Sequence, residues 1–202
     1  FFYQNDSFGK SSVAAAVKIL KQAGIKDILK VPYGKAQIDF DIEAQKLINY
    51  KPDAIGIVAT AKPAMEFLRQ VGSNNLFDKV VFVCSALSED TFRRFMFNRG
   101  VVYSVAHFVP DPRTSDIAIV KEYRSAMDKH GLPYDDFTLE GYIAMDLFVH
   151  ALETVQVPFT KEAVLHVMES WRGQKYKGIL LNFDPQTRQL VDHLWIETVY
   201  PD

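Results

Sequence analysis

The sequence has little cysteine, no glycine-rich fingerprint and no excess of charge of one sign. Cys84 is the one cysteine in 202 residues. A disulfide framework within the chain is therefore excluded, and so is a zinc site built on cysteines. A single thiol suits the cytoplasm and equally an exported domain large enough to need no covalent staple. The formal net charge is −2. Chains that grip nucleic acid or an anionic membrane carry a basic excess, so no nucleic-acid partner is expected. No apolar run reaches the roughly 18 residues of a membrane span, so no membrane insertion is expected. There is also no initiator methionine and no signal peptide. The first residues, FFYQND, read as the middle of a strand. That predicts a part of a longer protein and makes missing targeting signals uninformative about the compartment.

Signatures of catalysis and of metal binding are equally sparse. Asn5-Asp6-Ser7-Phe8-Gly9-Lys10-Ser11 follows a strand, opens a helix and contains the Gly-Lys-Ser that ends a phosphate-binding loop. The full motif needs a glycine five positions before Gly9, where Gln4 stands, so the segment reads as an ordinary strand-to-helix turn. The five histidines are His107, His130, His150, His166 and His193. No pair has the i, i+4 spacing with an intervening glutamate that zinc proteases use, and His150 is expected to pair with Asp146 at the surface. There is no Gly-x-Ser-x-Gly elbow. Cys84 and Ser85 end a strand with no identifiable base near them in sequence. Glu89-Asp90 and Asp135-Asp136 fall at loop or cap positions and read as solvated charge. No cofactor, no metal and no enzymatic activity are expected.

What is present is an ordinary globular composition, 48% apolar and 24% charged, arranged as alternating strands and helices. Strands are predicted at residues 1–4, 25–31, 53–58 (DAIGIV), 80–84 (VVFVC) and 101–108. Helices are predicted at 10–23, from Asp41 to Tyr50, from Pro63 to about Val71, and at 91–97. The continuous apolar strands suggest burial on both faces. The fold class is therefore α/β, an open parallel sheet with helices on both faces. Pro110-Asp111-Pro112 breaks the pattern. Helices at 116–127, 139–154 and 160–171 follow, then strands at 178–183 and 193–199 joined through an Asp184-Pro185-Gln186 turn. The break sets off a first domain at 1–110. The helix from Leu139 presents Ile143, Leu147 and Phe148 as an apolar row that must be buried, with a sheet outside this sequence as the expected partner.

In an open α/β sheet, ligands bind beyond the carboxyl ends of the strands. Those ends, residues 5–9, 31–34, 59–62, 84–87 and 107–110, supply Phe8, the hydroxyls of Ser7, Thr60 and Ser85, and one cation, Lys62. They suit a small polar or amphipathic ligand and offer too few ionisable groups for acid–base catalysis.

FFYQNDSFGKSS resembles the strand and loop that open the C-terminal lobe of type I solute-binding proteins, the leucine/isoleucine/valine-binding family of branched-chain amino acid ABC transporters. IDFDIEAQKLINYKPDAIGIVATAKPAMEFLRQ, LEGYIAMDLFVHALE, FTKEAVLHVMESW and LLNFDPQTRQLVDHLWIETV are similar, in order, to the following helices, strands and closing hairpin of that family. The resemblance covers essentially the whole chain. It implies a complete Rossmann-like C-terminal lobe, a crossover near Pro110, part of the N-terminal lobe, and a return to the first lobe near Leu190. The further division of the chain into domains at 111–190 and 191–202 is implied by the same resemblance. It further implies an extracytoplasmic (periplasmic or extracellular) binding protein for amino-acid transport, with a small-molecule ligand and an ABC transporter permease as partners. A ligand-sensing receptor of the same fold and a Rossmann-like nucleotide enzyme are the other readings. Carried over by position, the family's contacts fall on Ser7 and Phe8, on Ala61 with Lys62 beside it, and on Ser85 and Ala86. Amino-acid binders of the family often hold a carboxylate at the last position to pair the ligand's ammonium group. This chain has none, and a closed cleft would leave that ammonium unpaired. The departure favours an anionic or neutral organic molecule.

Overall fold

The computed structural model describes residues 1–155 and 159–201. The chain divides into two compact units, Phe1–His107 with the return segment from Ile196, and Phe108–Trp195.

The first unit holds β1 (Phe2–Gln4), α1 (Ser7–Gln22), β2 (Val31–Tyr33), α2 (Asp41–Tyr50), β3 (Ala54–Val58), α3 (Ala61–Val71), β4 (Val80–Val83), a 3-10 turn at Ser85–Leu87, α4 (Asp90–Phe97) and β5 (Tyr103–His107). The strands form one sheet in the order β2-β1-β3-β4-β5, with β8 (Trp195–Val199) beside β5. The β1–β2, β1–β3, β3–β4 and β4–β5 pairs are all parallel. The period of two in a strand sorts the side chains. Phe2, Ile55, Ile57, Val81 and Val83 face the apolar sides of α2, α3 and α4 in the main core. There the ring of Phe2 stacks between those of Phe67, at 3.8 Å, and Tyr33, at 4.6 Å. The other face is covered by α1 over β1 and β3, where Val13 and Val17 meet Val58, Phe1 and Tyr3.

Two expectations are corrected here. The strand expected at 25–31 forms instead at Val31–Tyr33. Its register is set by β1, with Phe2 opposite Val31 and Gln4 opposite Tyr33. Pro32 is tolerated because β2 is an edge strand whose outer side needs no N–H donor. Burial on both faces fails at β4, where Val80 and Phe82 are exposed while Val81 and Val83 are buried.

The second unit holds α5 (Ala118–His130), α6 (Asp136–Thr154), α7 (Lys161–Ser170) and an antiparallel hairpin of β6 (Arg172–Tyr176) and β7 (Ile179–Asn182). Asp135 and Thr160 cap α6 and α7 by accepting the N–H groups of Thr138 and Ala163. Leu139, Ile143, Leu147 and Ala151 of α6 pack with Ile119, Val120, Tyr123, Trp171, Ile179 and Leu181. This corrects two further expectations. β7 pairs with β6, a strand with no apolar pattern of its own, rather than with β8, which joins the other sheet beside β5; after β7 the chain turns back through an Asp184–Gln189 bridge. The row Ile143, Leu147 and Phe148 is also split. Ile143 and Leu147 are buried by the unit's own helices and hairpin, and Phe148 is 43% exposed. Asp146 does not pair with His150. It binds Lys177 Nζ at 2.7 Å, and the His150 ring stacks on Tyr176 at 4.2 Å.

Candidate functional site

A parallel sheet brings the carboxyl ends of its strands to one edge. Because β1, β3 and β4 are neighbours, the loops after them stand side by side there. Ser7 and Phe8 form the first turn of α1, Ala61 and Lys62 the first turn of α3, and Ser85 and Ala86 the 3-10 turn after β4. All six sequence-predicted positions thus lie along one edge of one compact unit. Phe8 is 39% exposed. Ser7 and Lys62 are exposed, Ser85 and Ala86 half-buried, and Ala61 buried. The first five are at least partly exposed at that edge, and Ala61 is not.

The Gly-Lys-Ser segment is not a phosphate loop. Helix α1 is already formed at Ser7, and the Asp6 carboxylate takes the place an anion would occupy, accepting the Gly9 N–H at 3.3 Å. Gly9 is needed because a Cβ there would run into the Gln4 carbonyl. The Gln4 side-chain amide, first, and the N–H of Gly9 hold the Asp6 carboxyl below its usual range. Cys84 is half-buried, its thiol donates to the Ala59 carbonyl at 3.6 Å, and burial pushes its pKa up. A thiol held protonated is a poor nucleophile. Among the described residues no cluster of three His, Cys, Asp or Glu side chains could hold a metal ion.

Two polar networks escaped the sequence reading. Beneath the strand ends, Tyr33 is buried, and burial pushes its phenol up to about 12. Its hydroxyl donates to Gln4 Oε1 at 3.3 Å, and Gln4 Nε2 donates to Asp6 Oδ2 at 2.5 Å. At the end of β5, His107 Nε2 lies 3.1 Å from Glu197 on β8, and Arg93 grips the same carboxylate with bonds of 3.0 and 2.9 Å. The Tyr33–Gln4 pair spans 29 residues and the pairs to Glu197 span 90 and 104, so no local spacing announces them. The nearest signal is Asp6 three residues before Gly9, the spacing of an N-cap.

An open depression lined by Met65, Asp90, Thr91, Arg94, Phe95 and Asn98 lies between α3 and α4. None of the six edge residues lines it, and it faces helix sides rather than strand ends.

The family model for periplasmic binding proteins matches residues 1–200. No curated protein matches the sequence. Among solved structures, a substrate-binding periplasmic protein from Ralstonia solanacearum is similar with a TM-score of 0.84 and 21% identity, over 99% of this chain and 58% of that one. A possible leucine/isoleucine/valine-binding protein from Rhodopirellula baltica has a TM-score of 0.82 and 23% identity, over 97% and 55%. A branched chain amino acid ABC transporter protein from Thermus thermophilus, with bound valine, has a TM-score of 0.79 and 15% identity, over 96% and 55%. The chain therefore spans between 55% and 58% of the length of these structures. At such identities the likeness is one of fold, a type I binding-protein fold of mostly parallel sheet flanked by helices. The match of the family model over residues 1–200 goes further: the chain belongs to the periplasmic binding protein family.

Proposed function

We propose that this chain supplies one wall of the ligand cleft of an extracytoplasmic solute-binding protein that serves an ABC importer. It acts by binding and release, without catalysis. The observation that carries the reading is the meeting of the loops bearing Phe8, Lys62 and Ser85 at one sheet edge, within a chain that the binding-protein family model matches over residues 1–200. Family membership supports a permease partner and a periplasmic or extracellular location. Among the described residues no helix is long and apolar enough to cross a membrane.

Charge at the edge points to the ligand class. In residues 5–9, 33–34, 59–62 and 84–87 the one carboxylate is Asp6, and it is engaged by Gln4 and the Gly9 N–H. A ligand ammonium would find no free anion on this wall, and burying it unpaired is costly. Lys62 and the hydroxyls of Ser7, Thr60 and Ser85 suit a carboxylate, and Phe8 suits an apolar or aromatic body. Calorimetry on the full-length protein with L-leucine, L-leucinamide and benzoate tests the reading. Benzoate is expected to bind and L-leucine to bind more weakly or not at all. Tight leucine binding with no benzoate binding would overturn the ligand class. Phe8→Ala is expected to weaken benzoate binding by about 1–3 kcal/mol through loss of the aromatic contact. Unchanged affinity would remove Phe8 from the site.

A further inference from the structure

Four aromatic rings, those of Phe2, Tyr33, Phe40 and Phe67, pack against one another under the β1–β2–β3 end of the sheet. Only Tyr33 carries a polar atom. Its ring is held by Phe2 and Phe40 independently of its hydroxyl, stacked on the first and edge-on to the second at 5.5 Å. A phenylalanine would satisfy the packing equally well, and a buried hydroxyl is costly unless it is bonded. The hydroxyl reaches two different loops. Toward β1 it donates to Gln4 Oε1, and Gln4 passes the link to Asp6, the cap of the helix that starts with Ser7 and Phe8. Toward β3 it faces the backbone N–H and the hydroxyl of Thr60, the residue that precedes Ala61 and Lys62. The Tyr33 carbonyl also accepts the Asn5 N–H at 2.8 Å, tying its backbone to the same β1 loop.

We propose that Tyr33 is a positioning residue that sets the Ser7–Phe8 turn and the Thr60–Lys62 turn at a fixed spacing, through Gln4 and Asp6 on one side and Thr60 on the other. The proposal rests on the reading of this edge as the ligand wall. It gives the wall a buried adjuster that no ligand touches. Without the hydroxyl, the Gln4 amide keeps Asp6 on its nitrogen but loses the partner that fixes its oxygen. The Asp6 cap and the first turn of α1 then shift relative to the first turn of α3.

The test is Tyr33→Phe in the full-length protein, with Gln4→Leu as a second variant that cuts the same link from its other end. Three quantities are read: the Asp6 carboxyl titration by carbon NMR, the amide shifts at residues 7–10 and 60–62, and benzoate affinity by calorimetry. In both variants the Asp6 titration should move up toward the ordinary carboxylate range. Amides of both turns should shift together in Tyr33→Phe. Benzoate should bind roughly 2–12-fold more weakly, the worth of one hydrogen bond. The double variant should be no weaker than the worse single one, because both act through one link. A lowered melting temperature with Asp6 and both turns unmoved would overturn the proposal and leave the hydroxyl a packing detail. If Asp6 and both turns move but the unaltered protein fails to bind benzoate, the positioning role stands and the ligand class fails.

Discussion

Glu197 is gripped from two sides within the first unit, by Arg93 and by His107. The His107 ring, first, and the Arg93 guanidinium hold its carboxyl down at about 2, against roughly 4.3 for a free glutamate. The folded state thus favours the ionised form. The resulting stabilisation is complete above the unfolded value and is lost as the pH falls from about 4.3 through the folded value of about 2. The carboxylate is about a third exposed, so solvent screens much of the interaction, and a contribution of about 1–2 kcal/mol is reasonable. Glu197→Gln is expected to lower the free energy of unfolding by that amount at pH 7. The gap between variant and parent should close as the pH is brought down to 2. Urea denaturation at several pH values checks this, and a gap that is constant with pH would assign the loss to packing. None of this could be read from the sequence, because Arg93 and Glu197 are 104 positions apart and each alone looks like solvated surface charge.

At the scale of elements, legibility followed apolar content. DAIGIV and VVFVC announce β3 and β4 because apolar β-branched runs bounded by polar residues have few other uses. β2 differs from its expected place because 25–31 offers the longer series of β-formers, Ile25, Ile28, Leu29 and Val31, whereas pairing is decided by what faces Phe2 and Gln4 across the ladder. β6, RGQKY, has no apolar alternation, since it is a largely solvent-facing strand. Its one signal is the turn that follows. Tyr176 pairs with Ile179, leaving a two-residue loop of Lys177 and Gly178, both at positive φ. That is the geometry that matches strand twist in a tight hairpin. Gly178 is constrained twice over, by a φ of 91° and by Ile117 Cγ2, which would lie 2.6 Å from an added Cβ. Gly178→Ala is therefore expected to cost more than about 1 kcal/mol. Hydrogen exchange should report faster opening of the β6–β7 amides than of the β1–β5 sheet. Equal effects in both sheets would show that the hairpin does not open separately. Ser7, Phe8, Lys62 and Ser85 are within reach of sequence reasoning because strand ends follow from strand assignments, whereas Ala61 and Ala86 come only with the family resemblance. The Tyr33 network beneath them did not, because it depends on which side chains a parallel register brings together.

For the molecule as a whole, the open question is what meets the outer face of α6. The helix is apolar on two sides. Leu139, Ile143, Leu147 and Ala151 form the buried stripe, and Phe137, Met145, Phe148 and Val149 lie exposed on the other. A helix apolar all round is ordinarily buried all round. Met145 is 60% exposed, and each large apolar side chain left in water forgoes roughly 1.5–3 kcal/mol of burial. Among the described residues nothing covers this stripe. Produced by itself, the 202-residue chain should expose it and associate. Light scattering should then show a concentration-dependent mass above that of the monomer. Met145→Lys combined with Phe148→Glu should restore the monomer without lowering the melting temperature, because neither side chain belongs to the buried stripe. If the unaltered chain stays monomeric at high concentration, the stripe is covered by the chain itself. If the double variant instead unfolds, Met145 and Phe148 contribute to the core of the second unit and the exposed face is not where the association arises.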